Sequence, residues 1–183
     1  MVRKPVNGFS IVPSDSKPWV ANKKYQTWLR RLRRHTKKRD YHDPEDLCDA
    51  SDNMCKGDLG IPRNLMPQFN TPADIKAYAG FIKTKYGIRS RRQTRKARQL
   101  RPSQEEIKID RVEDVVEKIE DKKLDPNVPL IVSKDNYVID GHHRWAAYKT
   151  RHPNKQLPVL VIQAPARDVI GSAITWGAKH QEF

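Results

Sequence analysis

No stretch of this 183-residue sequence approaches the ~18–20 consecutive apolar residues needed to cross a bilayer. Its opening, Met1-Val2-Arg3-Lys4-Pro5, runs into no apolar segment of signal-peptide type. The expectation is a protein that stays where it is made, in the cytoplasm, with no membrane partner. Cysteine is scarce as well. Cys48 and Cys55, with six residues between them, fit no CxxC metal or redox spacing, and two such thiols in a cytosolic chain are expected to be reduced. With His42 and the nearby aspartates they make a poor metal site on spacing. No internal repeat is visible. Acidic residues are scarce only in the first half. Residues 1–100 hold 23 Lys/Arg against 9 Asp/Glu, whereas residues 101–183 hold 13 of each, so the whole net charge of +14 sits in the first hundred residues.

A charge excess placed so unevenly suggests a basic arm or small domain that meets a polyanion, joined to a neutral globular unit. DNA or RNA is the leading candidate for that polyanion. The length suits one ordinary domain with an extension, or two small ones. Hydrophobic residues make up 37% and charged residues 32%, enough apolar material for a core.

Prolines 5, 13 and 18 make the first twenty residues an irregular lead-in. From Asn22 to Arg39 the pattern is helical: Asn22 suits an N-cap, and Tyr25, Trp28, Leu29 and Leu32 recur at i, i+3, i+4 and i+7. Around that stripe lie Lys24, Arg30, Arg31 and Arg34, together with Lys37, Lys38 and Arg39. Three readings of this helix stay open. Its cations neutralise nucleic-acid phosphates, its Trp28 and Leu29 enter the groove of an acidic partner, or its aromatic stripe packs on the protein and leaves an ordinary solvated basic face.

An acidic patch follows around Cys48, then a Gly/Pro-rich connector from Gly57 to Gln68. Thr71 and Pro72 open a second helix, with Ile75, Tyr78, Ala79, Ile82 and Tyr86 on one face and Gly87 as its stop. Residues 89–101 carry seven positive charges and a single large aliphatic residue. They supply no core and read as a basic linker over 89–99, with Arg91, Arg92 and Arg95 free to order on a phosphate backbone.

The remainder, 100–183, is patterned as a compact unit. Leu100–Gln104 is a short strand or loop, and a helix starts near Asp110. Pro129–Val132 and Tyr137–Ile139 are β-branched strands joined by a tight turn at Lys134–Asn136. Another helix contains Trp145–Tyr148 and ends at Pro153; Leu157–Ile162 is a strand, and a last helix spans Ala166–Trp176. The expected class is α+β, a small mixed β-sheet with helices, preceded by a basic, mainly helical region over residues 1–88.

The sharpest feature is Asp140-Gly141-His142-His143-Arg144, where a strand runs straight into a helix. Glycine permits a tight bend and a close approach by a ligand. The free amides of the new helix, with the positive end of its dipole, suit a phosphate. Arg144 adds a fork-shaped donor, and His142 and His143 can donate hydrogen bonds or exchange protons near neutral pH. The bland alternative is that Asp140 caps the helix while the histidines pack or face water. Metal binding by Asp140, His142 and His143 is the weaker reading, because adjacent helical residues diverge by ~100°.

The order of elements from Leu100 to Ile162, with the Gly-x-His-Arg turn as its most specific part, resembles the ParB N-terminal/sulfiredoxin superfamily, in a phage-type member. The resemblance covers about a third of the chain. It implies binding of a nucleotide (CTP, ATP or ADP, with or without Mg²⁺) by the helix after the turn, and it places Gln104 and Ser103 beside the phosphates. Activities in such relatives include nucleotide-gated DNA clamping, sulfinic acid reduction, serine phosphorylation and nuclease action. Sulfiredoxins carry a cysteine where this chain has His142, which argues against sulfinic acid reduction. Only about twenty residues follow Ile162, too few for the helix-turn-helix domain of full-length partition proteins. A kinase reading would use a carboxylate near the phosphates, for which Glu105 or Glu106 is the candidate. The expected function is therefore phosphate or nucleotide binding by a nucleic-acid-associated protein. Phosphodiester hydrolysis or phosphoryl transfer would involve His142, His143 or Glu105. The alternatives are a non-catalytic DNA-binding accessory protein and a kinase acting on an amino-acid hydroxyl.

Overall fold

The computed structural model of the chain describes residues 18–35, 43–51 and 53–178. The lead-in before residue 18, the continuation of the first helix to Arg39 and His42 lie outside the described residues.

Five strands form one mixed sheet: β1 (Ser90–Lys96), β2 (Arg101–Pro102), β3 (Leu130–Ser133), β4 (Tyr137–Asp140) and β5 (Gln156–Ile162). Their spatial order is β1-β5-β3-β4-β2, with β1–β5 and β3–β4 antiparallel and β5–β3 and β4–β2 parallel. Among the described residues six α-helices accompany it: α1 (Lys23–His35), α2 (Leu47–Ala50), α3 (Pro72–Tyr86), α4 (Ile109–Glu120), α5 (His142–Arg151) and α6 (Ala166–Trp176). The class is α+β, and among the described residues no helix is long and apolar enough to cross a membrane.

Strand alternation divides the apolar residues between two layers. Leu130, Val132 and Val138 face α4 and α5, along with Leu157, Val159 and Val161 of β5. Ile131, Ile139 and Ile162 point the other way, into a cluster that includes Trp19, Tyr25, Trp28, Leu32, Tyr78 and the buried side of α6. Helix α1 therefore docks its aromatic stripe on the sheet's second face. Asn22 Oδ1 accepts from the Lys24 N–H at 2.9 Å, as an N-cap should, and the Trp28 indole donates to the Leu65 carbonyl at 2.7 Å. Trp28 and Leu29 are buried in the chain's own core, so they are not offered to the groove of an acidic partner. Lys24, Arg30 and Arg34 remain solvent-facing.

Two further expectations are corrected. The stretch 89–99 is not a linker, because Ser90–Lys96 pairs residue for residue with Gln156–Ile162 as an edge strand, followed by a 3₁₀ turn over Ala97–Gln99. The physical reason is cross-strand. Its partner β5 supplies the apolar contacts, and charged side chains on an edge strand block unwanted pairing. The division at 88 falls with the linker, since residues from both sides share one core cluster. The cysteines are not free thiols either. Cys48 and Cys55, both 1% exposed, form a disulfide packed against the α4/α5 layer. Next to it, the buried Asp46 carboxylate accepts from the Cys48 and Ile107 amides at 3.0 and 2.8 Å, so part of the acidic patch ties this loop to the start of α4.

Candidate functional site

Gly141 joins β4 to α5 with φ 92° and ψ 27°, in the left-handed region. An added Cβ there would sit 2.5 Å from Leu130 Cδ2, so both conformation and space demand glycine. Trp145, fully buried, fixes the helix from beneath by donating its indole N–H to the Ala97 carbonyl at 2.9 Å. No side chain caps α5. The amides of its first turn have no acceptor within the helix, and they open on a cleft of about 420 Å³.

The cleft brings together Gln104, Asp140, Gly141, His142, His143 and Arg144. Ser103 and Glu105, expected in the same place, are not on its wall. Ser103 is fully buried, with its hydroxyl donating to the Val138 carbonyl at 2.6 Å, and Glu105 is 8% exposed. Gln104 contributes to the wall while its amide donates to the Glu106 carbonyl at 2.6 Å.

The two histidines are not equivalent. His142 is 5% exposed, and its Nε2 accepts from the Ser103 N–H at 3.3 Å. Burial, helped by the neighbouring His143, pushes its pKa down to about 3. Its ring thus serves as a neutral strut between α5 and the strand-end loop, which leaves little of it for a ligand. His143 is half-buried. Burial first, then the nearby Arg63 and Arg111, lowers its pKa to about 4, and its buried Nε2 has no hydrogen-bond partner among the described residues.

Asp140 behaves oppositely. Burial raises its carboxyl to about 6, against the lowering effects of the Gly141 N–H and Arg144. Arg144 is itself partly desolvated, which pulls its guanidinium below the ordinary value, with Tyr148, Asp140 and Asp125 opposing. A neutral proton acceptor, a carboxyl that titrates near neutrality and a guanidinium therefore surround one open helix head. Such a set can bind a tetrahedral oxyanion and move protons at its edge.

The sequence reading missed the opposite wall. Arg63 and the segment from Met66 to Pro72 close the cleft from the far side. The path of that segment is held by the Arg63 N–H donating to Glu106 Oε2 at 3.3 Å. A usable signal was present in the apolar residues Ile61, Leu65, Met66 and Phe69, too many for an exposed connector, and all four are buried.

The residues expected to meet nucleic acid fall in separate places. Lys24, Arg30, Arg31 and Arg34 stand on α1, whereas the strand register divides the others. Arg91 and Arg95 lie opposite Val161 and Leu157, on the α4/α5 side of the sheet, while Arg92 lies opposite Leu160, on the α1/α6 side. Among the described residues no cluster of three or more His, Cys, Asp or Glu side chains could hold a metal ion. No protein-family model, curated protein or solved structure matches the chain.

Proposed function

We propose that this chain binds a phosphate group, carried by a nucleotide or a nucleic-acid backbone, in the cleft at the head of α5. The observation that carries this reading is the uncapped first turn of α5, opening into a cleft that Arg144 and Arg63 also line. Unsatisfied amides, a helix dipole and two guanidinium groups favour an anion with several acceptor oxygens. The resemblance of the turn to the ParB/sulfiredoxin superfamily points to the same ligand class, with CTP, ATP and ADP as the nucleotides to test. A divalent ion held by protein side chains does not fit the donor set, so Mg²⁺ would come with the phosphates.

A hydrolytic extension of this reading rests on His143. An anion bound beside it would raise its depressed pKa towards neutrality, where it is the better base. In that step a water oxygen attacks phosphorus and its proton passes to the imidazole of His143. The ester P–O bond breaks, and the departing oxygen takes the proton of Asp140. Backbone amides and Arg144 offset the charge that develops on the phosphoryl oxygens.

A thermal-shift panel of nucleoside tri- and diphosphates tests the binding. Wild type is expected to gain several degrees with at least one of them, and Arg144→Ala is expected to lose that gain. If no nucleotide and no inorganic phosphate stabilises wild type, the reading fails. Nicking of supercoiled plasmid that disappears in His143→Ala tests the hydrolytic extension, and intact plasmid under all conditions leaves a binding module.

A further inference from the structure

Three concavities lie in a row along α5 and share walls. The cleft at the helix head and a groove of about 280 Å³ both include Val128 and Arg144. That groove and a third concavity, of about 740 Å³, both include Pro126, Tyr148 and Lys155. Arg144, Tyr148 and His152 follow at i, i+4 and i+8, which places them on one stripe of the helix. The result is a trough that runs about 12 Å past the cleft, the rise of eight helical residues.

Its charge is predominantly positive. Arg63 and Arg144 line the cleft, Lys155 stands at the second junction, and Lys122 lines the third concavity. Two carboxylates oppose them, Asp140 and Asp125, and Asp125 is engaged in its own loop, accepting from the Asn127 N–H at 2.9 Å. Edge strand β1 adds cations beside the middle groove. Arg95 and Lys96 pair with Leu157 and Gln156, both of which line it. Val128, the one exposed large hydrophobic among the described residues at 38%, sits at the first junction.

A mononucleotide would occupy the cleft and leave Lys155 and Lys122 without a counter-charge. A chain of phosphates uses the whole trough. We infer that the natural ligand is a single strand of nucleic acid, seated with an internal phosphodiester at the head of α5. The strand continues over Val128 and past Tyr148 to Lys155. A single strand can lay an unpaired base on the exposed Val128, a contact that a duplex hides, while Tyr148, 9% exposed, serves only as wall. This inference rests on the phosphate-binding reading above and specifies its ligand.

The test is fluorescence anisotropy with labelled oligodeoxythymidylate and oligouridylate of about ten nucleotides, a length within known single-strand site sizes. Thymidine and uridine monophosphates serve as competitors, with wild type compared to Arg144→Ala, Lys155→Glu and Lys83→Ala. At least one oligomer is expected to bind ten-fold or more tightly than its monophosphate. Arg144→Ala should weaken oligomer and monophosphate alike. Lys155→Glu should weaken the oligomer alone and reduce the slope of log K against log salt by about 0.7, the loss of one single-strand phosphate contact. Lys83→Ala, exposed in the last turn of α3 and away from the trough, should change neither. If monophosphate binds through Arg144 but no oligomer binds more tightly, or Lys155→Glu leaves the oligomer untouched, the trough is overturned and the phosphate site stands. If oligomer binding ignores Arg144, or neither class of ligand binds, the trough and the site fall together.

Discussion

Two helix heads line the same cleft, and they are finished in opposite ways. At α3 the Thr71 hydroxyl accepts from the Asp74 N–H at 3.1 Å while the Asp74 carboxylate accepts from the Thr71 N–H at 3.0 Å, and Pro72 contributes no N–H at all. That capping box satisfies the Thr71 and Asp74 amides within the chain and places a carboxylate at the positive end of the dipole. At α5 a left-handed glycine leads into the helix, no side chain caps it, and the residues that follow are His142, His143 and Arg144. One head is closed to anions and the other is open. The contrast locates the candidate site more sharply than either helix alone, because the two heads share a solvent space and differ in what their first turns leave unpaired.

The largest expected effect comes from closing the open head. Gly141→Ala forces a side chain into the left-handed region, costing about 1–2 kcal/mol. It also drives the new methyl to 2.5 Å from the buried Leu130 side chain, which adds overpacking of about 1–3 kcal/mol. A loss of roughly 3 kcal/mol in urea unfolding, together with loss of phosphate-dependent stabilisation, is expected. Unchanged stability would show that the turn does not adopt this conformation in solution.

Acid separates the heads next, because the titrating histidines belong to α5. His142 and His143 have folded pKa values of about 3 and 4, below the ordinary value of 6.5. Their contribution to stability is complete above pH 6.5 and drains away as the pH falls towards those folded values, since the unfolded chain binds the protons first. At pH 5 each histidine accounts for a loss of about 2 kcal/mol relative to pH 7 or above. Asp140 works in the other direction. Its raised pKa of about 6 makes it destabilising once ionised, so protonation between pH 7 and 5 returns about 1 kcal/mol. The net loss on acidification should therefore shrink by about 2 kcal/mol in His143→Ala, measured by urea titrations at pH 7 and 5. An unchanged pH dependence in that variant would mean that His143 is solvated and ordinary.

The elements from Leu130 to Trp176 were legible because each carries its own local signal. β-branched runs mark β3, β4 and β5, Gly141 marks the junction, and apolar residues at helical spacing mark α6. The contrast between the heads was half legible. Thr71, Pro72 and Gly87 announced α3 and its closure, and Asp140–Arg144 announced the open turn. What could not be read was that the two heads meet, since that depends on a segment without periodicity folding back beside Gln104. Edge strand β1 escaped for a related reason. Ser90–Lys96 has almost no apolar residues of its own, and its place in the sheet comes from the apolar strand it pairs with, sixty-odd residues later. For α1 the stripe was legible, but a stripe does not say whether it packs on its own chain or on a partner. Trp28 settles that through Leu65. The disulfide was hidden because proximity of Cys48 and Cys55 is set by the loop they close and not by a motif.

The smallest effect tests whether the closed head is only structural. Thr71→Ala removes the acceptor for the Asp74 N–H and should cost about 1 kcal/mol, a shift of a few degrees in the melting temperature. The substitution frees an amide on the cleft wall, yet Asp74 remains beside it and Pro72 still offers no donor, so no second anion site results. Phosphate-dependent stabilisation should therefore equal that of wild type, measured as the difference in melting temperature with and without ligand. If Thr71→Ala instead weakens that difference as strongly as Arg144→Ala does, the Thr71 hydroxyl contacts the ligand itself. The two heads would then form one composite site and not a closed wall facing an open one.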